Sequence, residues 1–220
     1  MLTEKVLGVV VLLSVFFGAC SCSQMPLRSK GEDLLTTGLV GWQQIGGRPG
    51  SWKLDDGVLY TEGADGGWLS SVRQYADFEL SFEFRVSAGG NSGVFLRAPH
   101  RGNPAHAGME IQIIHDQAEQ WRHLKPNQYT GSIYGVQAPS ERVSKRANEW
   151  QTMAITCRGP WVKVVLNGEE IVDTNTTYYP YLYETHPGLT RPRGYIGFQD
   201  HGSRVEFRDI RIRELVYASR

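Results

Sequence analysis

The chain has 220 residues, with 23 basic and 23 acidic side chains and a formal net charge of zero. Nucleic-acid binders carry a basic excess, so that class drops out. Its 25 glycines and 11% aromatic residues, without helical periodicity after the leader, point to an all-β domain with room for one core rather than two.

In chain order, Lys5 precedes an apolar run from Val6 to Phe17, and Gly18-Ala19-Cys20 sets small residues before a cysteine. Residues 1–22 read as a secretory signal, since the run is shorter than the ~20 residues a spanning helix needs. Its ending resembles a bacterial lipobox, with Cys20 acylated, or alternatively Cys22. Phe17 stands where a lipobox usually has Leu, so cleavage without lipid stays open. The expected location is the bacterial cell envelope, lipid-anchored in the periplasm or at the outer membrane, or secreted. Residues 23–32, polar with Pro26, read as a flexible tether, and 33–217 as one domain.

Strand signals then succeed one another. Residues 51–60 form a hairpin on Asp56-Gly57, and 67–72 a short strand. In 77–86, Phe78, Leu80, Phe82, Phe84 and Val86 share one face. Residues 92–97 precede a polar loop over 98–107. Further strands are expected at 131–136, 150–157 and 161–166, with Asn167-Gly168 turning the last onto Ile171-Val172. Residues 194–198 and 203–215 close the domain. Val205 and Phe207 have the opposite parity to Ile210 and Ile212, which predicts a bulge near Arg208-Asp209. Long loops cover 116–130 and 174–193. The sum is a two-sheet antiparallel sandwich or jelly roll. Trp42, Trp52, Trp150 and Trp161 are expected in its core, and Cys157 as a small buried hydrophobe. No CxxC or HExxH spacing marks a zinc site.

The segment from Gly108 to Asp116 carries the most chemistry. Glu110 and Gln112 lie two apart on one strand face, with Ile111 and Ile113 on the other. A carboxylate beside an amide suits a polyol, and the carboxylate can accept a proton; a plain solvated strand face is the alternative.

Several blocks resemble the 3-keto-disaccharide hydrolase domain family: Gly66-Gly67-Trp68-Leu69, Asn91-Ser92-Gly93-Val94-Phe95-Leu96-Arg97, Gly108-Met109-Glu110-Ile111-Gln112, Gln128-Tyr129-Thr130-Gly131-Ser132-Ile133-Tyr134-Gly135 and Gly194-Tyr195-Ile196-Gly197-Phe198-Gln199-Asp200-His201-Gly202. The resemblance spans about residues 33–215. It implies a concanavalin-A-like sandwich, export, and action on glycosides oxidised at carbon 3. A ketone there acidifies the hydrogen on carbon 2, so the group on carbon 1 can leave by β-elimination and water can add back. Such a site needs a base, a partner for the enolate oxygen and an acid for the leaving oxygen.

Glu110 is the expected base, with His201 and Asp116 as further catalytic candidates. For His201 a turn residue is the alternative. Arg97, if its strand pairs with that of Glu110, would hold the enolate or a hydroxyl; an ion pair with Glu110 is the alternative. Gln112, Lys125, Tyr129, Tyr134, Gln199 and Asp200 are expected to hold sugar hydroxyls, and Trp68 and Trp121 to stack on a ring. Asn91 reads as a turn residue. No cofactor is expected; calcium stays open at Asp200, though Gln199 beside it makes too few ligands. The expected partners are an oligosaccharide or glycoside and, through the lipid anchor, the membrane. Two rivals stand: a non-catalytic lectin-like module, and a glucanase with two carboxyls ~5–5.5 Å apart for retention or ~6.5–9.5 Å for inversion. The next same-face position after Glu110, ~6.7 Å along, holds Gln112, which is no acid.

Overall fold

The computed structural model describes residues 31–216 apart from Asp65. The leader, Cys20, Cys22 and most of the tether lie outside the described residues. The strands are β1 (Glu32–Asp33), β2 (Trp42–Ile45), β3 (Trp52–Asp55), β4 (Val58–Thr61), β5 (Trp68–Ser71), β6 (Phe78–Val86), β7 (Asn91–Ala98), β8 (Met109–Ile114), β9 (Gln151–Arg158), β10 (Trp161–Leu166), β11 (Glu169–Asn175), β12 (Tyr195–Gln199) and β13 (Val205–Glu214). A larger antiparallel sheet runs β11-β10-β9-β6-β13-β4-β3, with β1 also on β13. A smaller one runs β2-β5-β12-β7-β8.

The sandwich follows from period-two patterning. Phe78, Leu80, Phe82, Phe84 and Val86 of β6 are buried and meet Leu69, Val94, Ile111, Ile113 and Phe198 of the small sheet in one core. Cys157 is fully buried there, which pushes its thiol up to about 11. The hairpin turns on Asp56 and Gly57, both at positive φ, and Asn167-Gly168 does the same between β10 and β11. The expected bulge is present: register shifts between Arg208 and Arg211, and Asp209 has φ of 49°.

Some elements differ from expectation. Residues 131–136 form no strand. Gly131 and Gly135, at φ of 86° and 72°, turn the chain, and only Ile133 bridges, to Ile111 and Gln137. The loop over 98–107 contains a single helical turn, α1 (Pro104–Ala107), capped by the Asn103 side chain, which accepts from Ala105 N–H at 3.0 Å. Trp161 is 46% exposed, because Val162, Val164 and Leu166 take the inward positions of β10. Trp150 precedes β9 and lies between two guanidiniums, Arg85 at 4.8 Å and Arg208 at 3.9 Å from its ring. Glu32, expected in the tether, already pairs with Ile212.

Candidate active site

The outer faces of the two sheets treat charge differently. On the large sheet, charges outside the core are matched across strands: Arg85 with Glu206 at 2.6 Å, Arg208 with Glu83 at 2.6 Å and Arg213 with Glu79 at 2.5 Å. On the small sheet a carboxyl stands unmatched.

Alternation on β7 and β8 sends Val94, Leu96, Met109, Ile111 and Ile113 inward and leaves Asn91, Gly93, Phe95, Glu110 and Gln112 outward. Glu110 lies opposite Phe95, and Gln112 opposite Gly93. Glu110 leans over Gly93: a Cβ on that glycine would be 2.0 Å from Glu110 Oε1. The turn segment after residue 129 extends this face. Tyr134 N–H donates to the Glu110 carbonyl at 2.9 Å, and Gln112 N–H to the Ser132 carbonyl at 3.1 Å. With Ile133 buried inward, Ser132 and Tyr134 fall beside Gln112 and Glu110. From the other side, β12 supplies Gln199, which pairs with Trp68 of β5.

Glu110 is 4% exposed. Burial alone raises its pKa from 4.5 to about 8, with no contribution from a neighbouring charge. Around it the Asn91 Oδ1, Ser132 Oγ and Gln199 Oε1 atoms are buried without a hydrogen-bond partner. Unpaired buried polar groups are costly, and three of them beside a buried carboxyl on one face mark it as a surface built for a polar guest. Beside it opens a cavity of about 410 Å³ lined by Gly67, Trp68, Phe95, Pro104, Gln199 and His201, among others. Phe95 links the two, lining the cavity and standing next to Glu110 across the strand pair.

The remaining candidates divide. Tyr134 stays on the face, its hydroxyl accepting from Gln128 Nε2 at 2.9 Å. Gln112 also stays, although its Oε1 accepts from the Ile113 N–H at 3.0 Å. Trp68 lines the cavity but is buried, edge-on to Phe95 at 5.4 Å, so it forms wall rather than platform. His201 is exposed at the cavity.

Several expected roles are corrected. Arg97 does not meet Glu110: at φ of 49° its side chain leaves the sheet face. It donates to the carbonyls of Ala76 and Gly159, each at 2.7 Å, and to Asp77 at 3.0 Å. Asp116 stands past the strand end and holds a loop, accepting from Thr130 N–H at 3.1 Å, Thr130 Oγ1 at 2.7 Å and Ser144 Oγ at 2.8 Å. Asp200 anchors a turn, its two oxygens taken by Thr61 Oγ1 at 2.9 Å and by the N–H groups of Ala64 and Gly202 at 3.0 Å. Tyr129 is buried, donating to the Trp121 carbonyl at 3.1 Å beneath the Arg142 guanidinium. Trp121 accepts that bond through its backbone carbonyl, and its half-buried side chain is not among those lining the cavity. Lys125 is exposed and caps a short 3₁₀ turn, its N–H donating to Gln128 Oε1 at 3.0 Å. Among the described residues no group of three or more His, Cys, Asp or Glu is disposed to hold a metal ion.

Three members of the face escaped sequence reasoning. Asn91 lies on the outer face rather than in a turn. Gly93 provides the space under Glu110, and Ser132 arrives through an edge pairing. Strand alternation would have found the first two once β7 was paired with β8.

The profile of the 3-keto-alpha-glucoside-1,2-lyase-like domain family matches residues 33–213. A 3-keto-disaccharide hydrolase of Bacteroides thetaiotaomicron is 25% identical, the match covering 87% of this chain and 81% of that protein. A crystal structure from Parabacteroides distasonis, provisionally described as a glycosyl hydrolase, superposes with a TM-score of 0.74 at 29% identity, covering 84% of this chain and 100% of the other. A Bacillus subtilis protein with a galectin-like fold superposes with a TM-score of 0.55 at 15% identity, over 88% of this chain and 95% of that one. At that identity the likeness concerns the fold alone.

Proposed function

The chain belongs to the 3-keto-alpha-glucoside-1,2-lyase-like family, and we propose that it cleaves glycosides carrying a ketone on carbon 3 by β-elimination followed by hydration. The observation that carries this reading is the Glu110 carboxyl, unmatched by any charge and leaning over Gly93 on the small sheet's outer face.

In the proposed reaction ionised Glu110 takes the proton from carbon 2. The C–H electrons form a carbon 2–carbon 3 double bond, and the ketone oxygen becomes an enolate oxygen. The enolate collapses: the ketone returns, a carbon 1–carbon 2 double bond forms, and the carbon 1–oxygen bond breaks with its electrons on the leaving oxygen. That oxygen takes a proton, for which His201, which lines the cavity, is the candidate. Water then adds its oxygen to carbon 1 and a proton to carbon 2. A carboxylate whose pKa burial has raised is a stronger base than one in water, which suits an acid as weak as a C–H. Gln112, Gln199, Asn91, Ser132 and Tyr134 would hold the ring hydroxyls and the enolate oxygen.

The glucanase alternative has less support: it needs a second carboxyl, and Asp116 and Asp200 are committed to loop and turn. A lectin-like module would bind sugar on the same face without turnover. Incubating the protein with a 3-keto-disaccharide in deuterated water separates the readings. Elimination and hydration leave deuterium on carbon 2 of the released keto sugar, and Glu110→Gln abolishes release. Cleavage without label overturns the mechanism, and binding without cleavage returns the protein to the lectin class. Export with a lipid anchor at Cys20 is part of the same proposal, checked by metabolic labelling with a fatty acid.

A further inference from the structure

The outer face of the small sheet has two halves of opposite character. Around Gly93 the floor is polar: Glu110, Gln112, Asn91 and Ser132, with unpartnered acceptors on the last two. The adjoining cavity of about 410 Å³ is walled differently. Its sides are the Phe95 ring, the Trp68 indole and the Pro104 ring, with the backbone of Gly66, Gly67 and Gly202 between them. Of its polar side chains, Asp200 is saturated by donors. Asn103 has spent its oxygen on the α1 cap. Gln199 and His201 remain. A volume above ~300 Å³ suits a small ring-containing ligand, and apolar walls with a few convergent polar groups are the usual make-up of such a site.

We infer that this cavity is the leaving-group subsite, and that it takes a ring with a flat apolar face, either a second pyranose or an aromatic aglycone. The inference rests on the proposed elimination and adds its direction. The oxidised ring lies over Gly93, with carbon 2 at Glu110. Its carbon 1 then points past Phe95, so the departing oxygen emerges beside His201 and its ring is received by Trp68, Phe95 and Pro104. The C–H face of a pyranose and the π face of an aryl group both meet such walls well. Binding energy gained there from a non-reacting part of the substrate can serve the chemical step.

The experiment separates the halves with two kinds of substrate. The 3-keto derivative of 1,5-anhydroglucitol has no leaving group on carbon 1, so only the polar half acts on it; its carbon 2 hydrogen should exchange in deuterated water. A 3-keto-disaccharide and a 3-keto aryl glucoside require both halves. Pro104→Phe projects a ring into the cavity from the first turn of α1, where proline is favoured but not required. It should lower kcat/KM at least tenfold for the disaccharide and the aryl glucoside while exchange stays within twofold. Should that variant fold poorly, Pro104→Ala should change the ratio of kcat/KM between the two leaving groups at least threefold, again with exchange unchanged. An unaltered ratio in Pro104→Ala and unaltered cleavage in Pro104→Phe overturn the subsite. Equal losses in exchange and cleavage overturn the division into halves. Wild-type cleavage without wild-type exchange refutes the elimination itself, and the leaving-group ratio then tests the cavity separately. A fall for the aryl substrate alone identifies an aromatic aglycone as the occupant; a fall for the disaccharide alone identifies a sugar.

Discussion

Replacing Glu110 by glutamine should make the protein more stable, increasingly so as pH rises. The side chain is almost sealed, and burial moves its pKa from 4.5 to about 8. Below pH 4.5 the carboxyl is neutral in both folded and unfolded chains and costs nothing. Between 4.5 and 8 the unfolded chain releases its proton while the folded one keeps it, so stability falls by about 1.4 kcal/mol per pH unit. Above 8 both are ionised and the full penalty, about 5 kcal/mol, is in place. Glutamine has nearly the same shape and never ionises. Glu110→Gln should therefore gain about 1 kcal/mol at pH 5 and about 3 kcal/mol at pH 7 relative to the parent, with the largest gain at pH 9. Guanidinium unfolding of both proteins at pH 5, 7 and 9 reads this directly as a widening gap between midpoints. A gap that stays constant across the range would refute the reasoning, since the carboxyl would then be solvated when charged.

Other outcomes follow from the same geometry. The methyl added in Gly93→Ala would lie 2.0, 2.8 and 2.9 Å from Oε1, Cδ and Cγ of Glu110, so that whole side chain must shift; the backbone at Gly93 is not at positive φ and admits alanine, so the protein should still fold. Turnover should nonetheless drop more than a hundredfold; a fully active Gly93→Ala would remove Glu110 from the reaction. With Glu110 as base, kcat should rise with pH to a plateau above about 8, whereas a fall through that range assigns it as the acid. Arg97→Met should cost about 3–5 kcal/mol in thermal or chemical unfolding, because it strands the half-buried Asp77 and the carbonyls of Ala76 and Gly159. Its KM should not change, and a selective rise in KM would put Arg97 back at the substrate.

The sandwich was legible because inside and outside are encoded locally, residue by residue. The alternation in 77–86 became β6, and the parity change after Phe207 became the bulge at Asp209. The pairing of Glu110 with Gln112 on one face was legible for the same reason. What failed depended on backbone angles or on distant partners. Nothing in the sequence announces that Arg97 adopts a left-handed conformation, and that single torsion separates a substrate ligand from a brace between the sheets. Asp116 and Asp200 read as chemistry because a carboxylate looks the same whether it meets a sugar or a turn; only their donors distinguish them. Ser132 was missed because it reaches the face through an irregular edge, bent by two glycines, rather than through a strand with its own pattern.

The missing side chain at Gly93, whose place the Glu110 carboxyl takes, also bears on how such a scaffold changes occupation over evolutionary time. Under the proposed mechanism the reactive group depends on one absent methyl, so a single codon change that displaces the Glu110 carboxyl would silence the chemistry while the rest of the proposed sugar-holding face stays in place. Descendants of one ancestor can thus settle as cleavers or as mere holders of glycans, and the boundary between these trades is a single carbon atom wide.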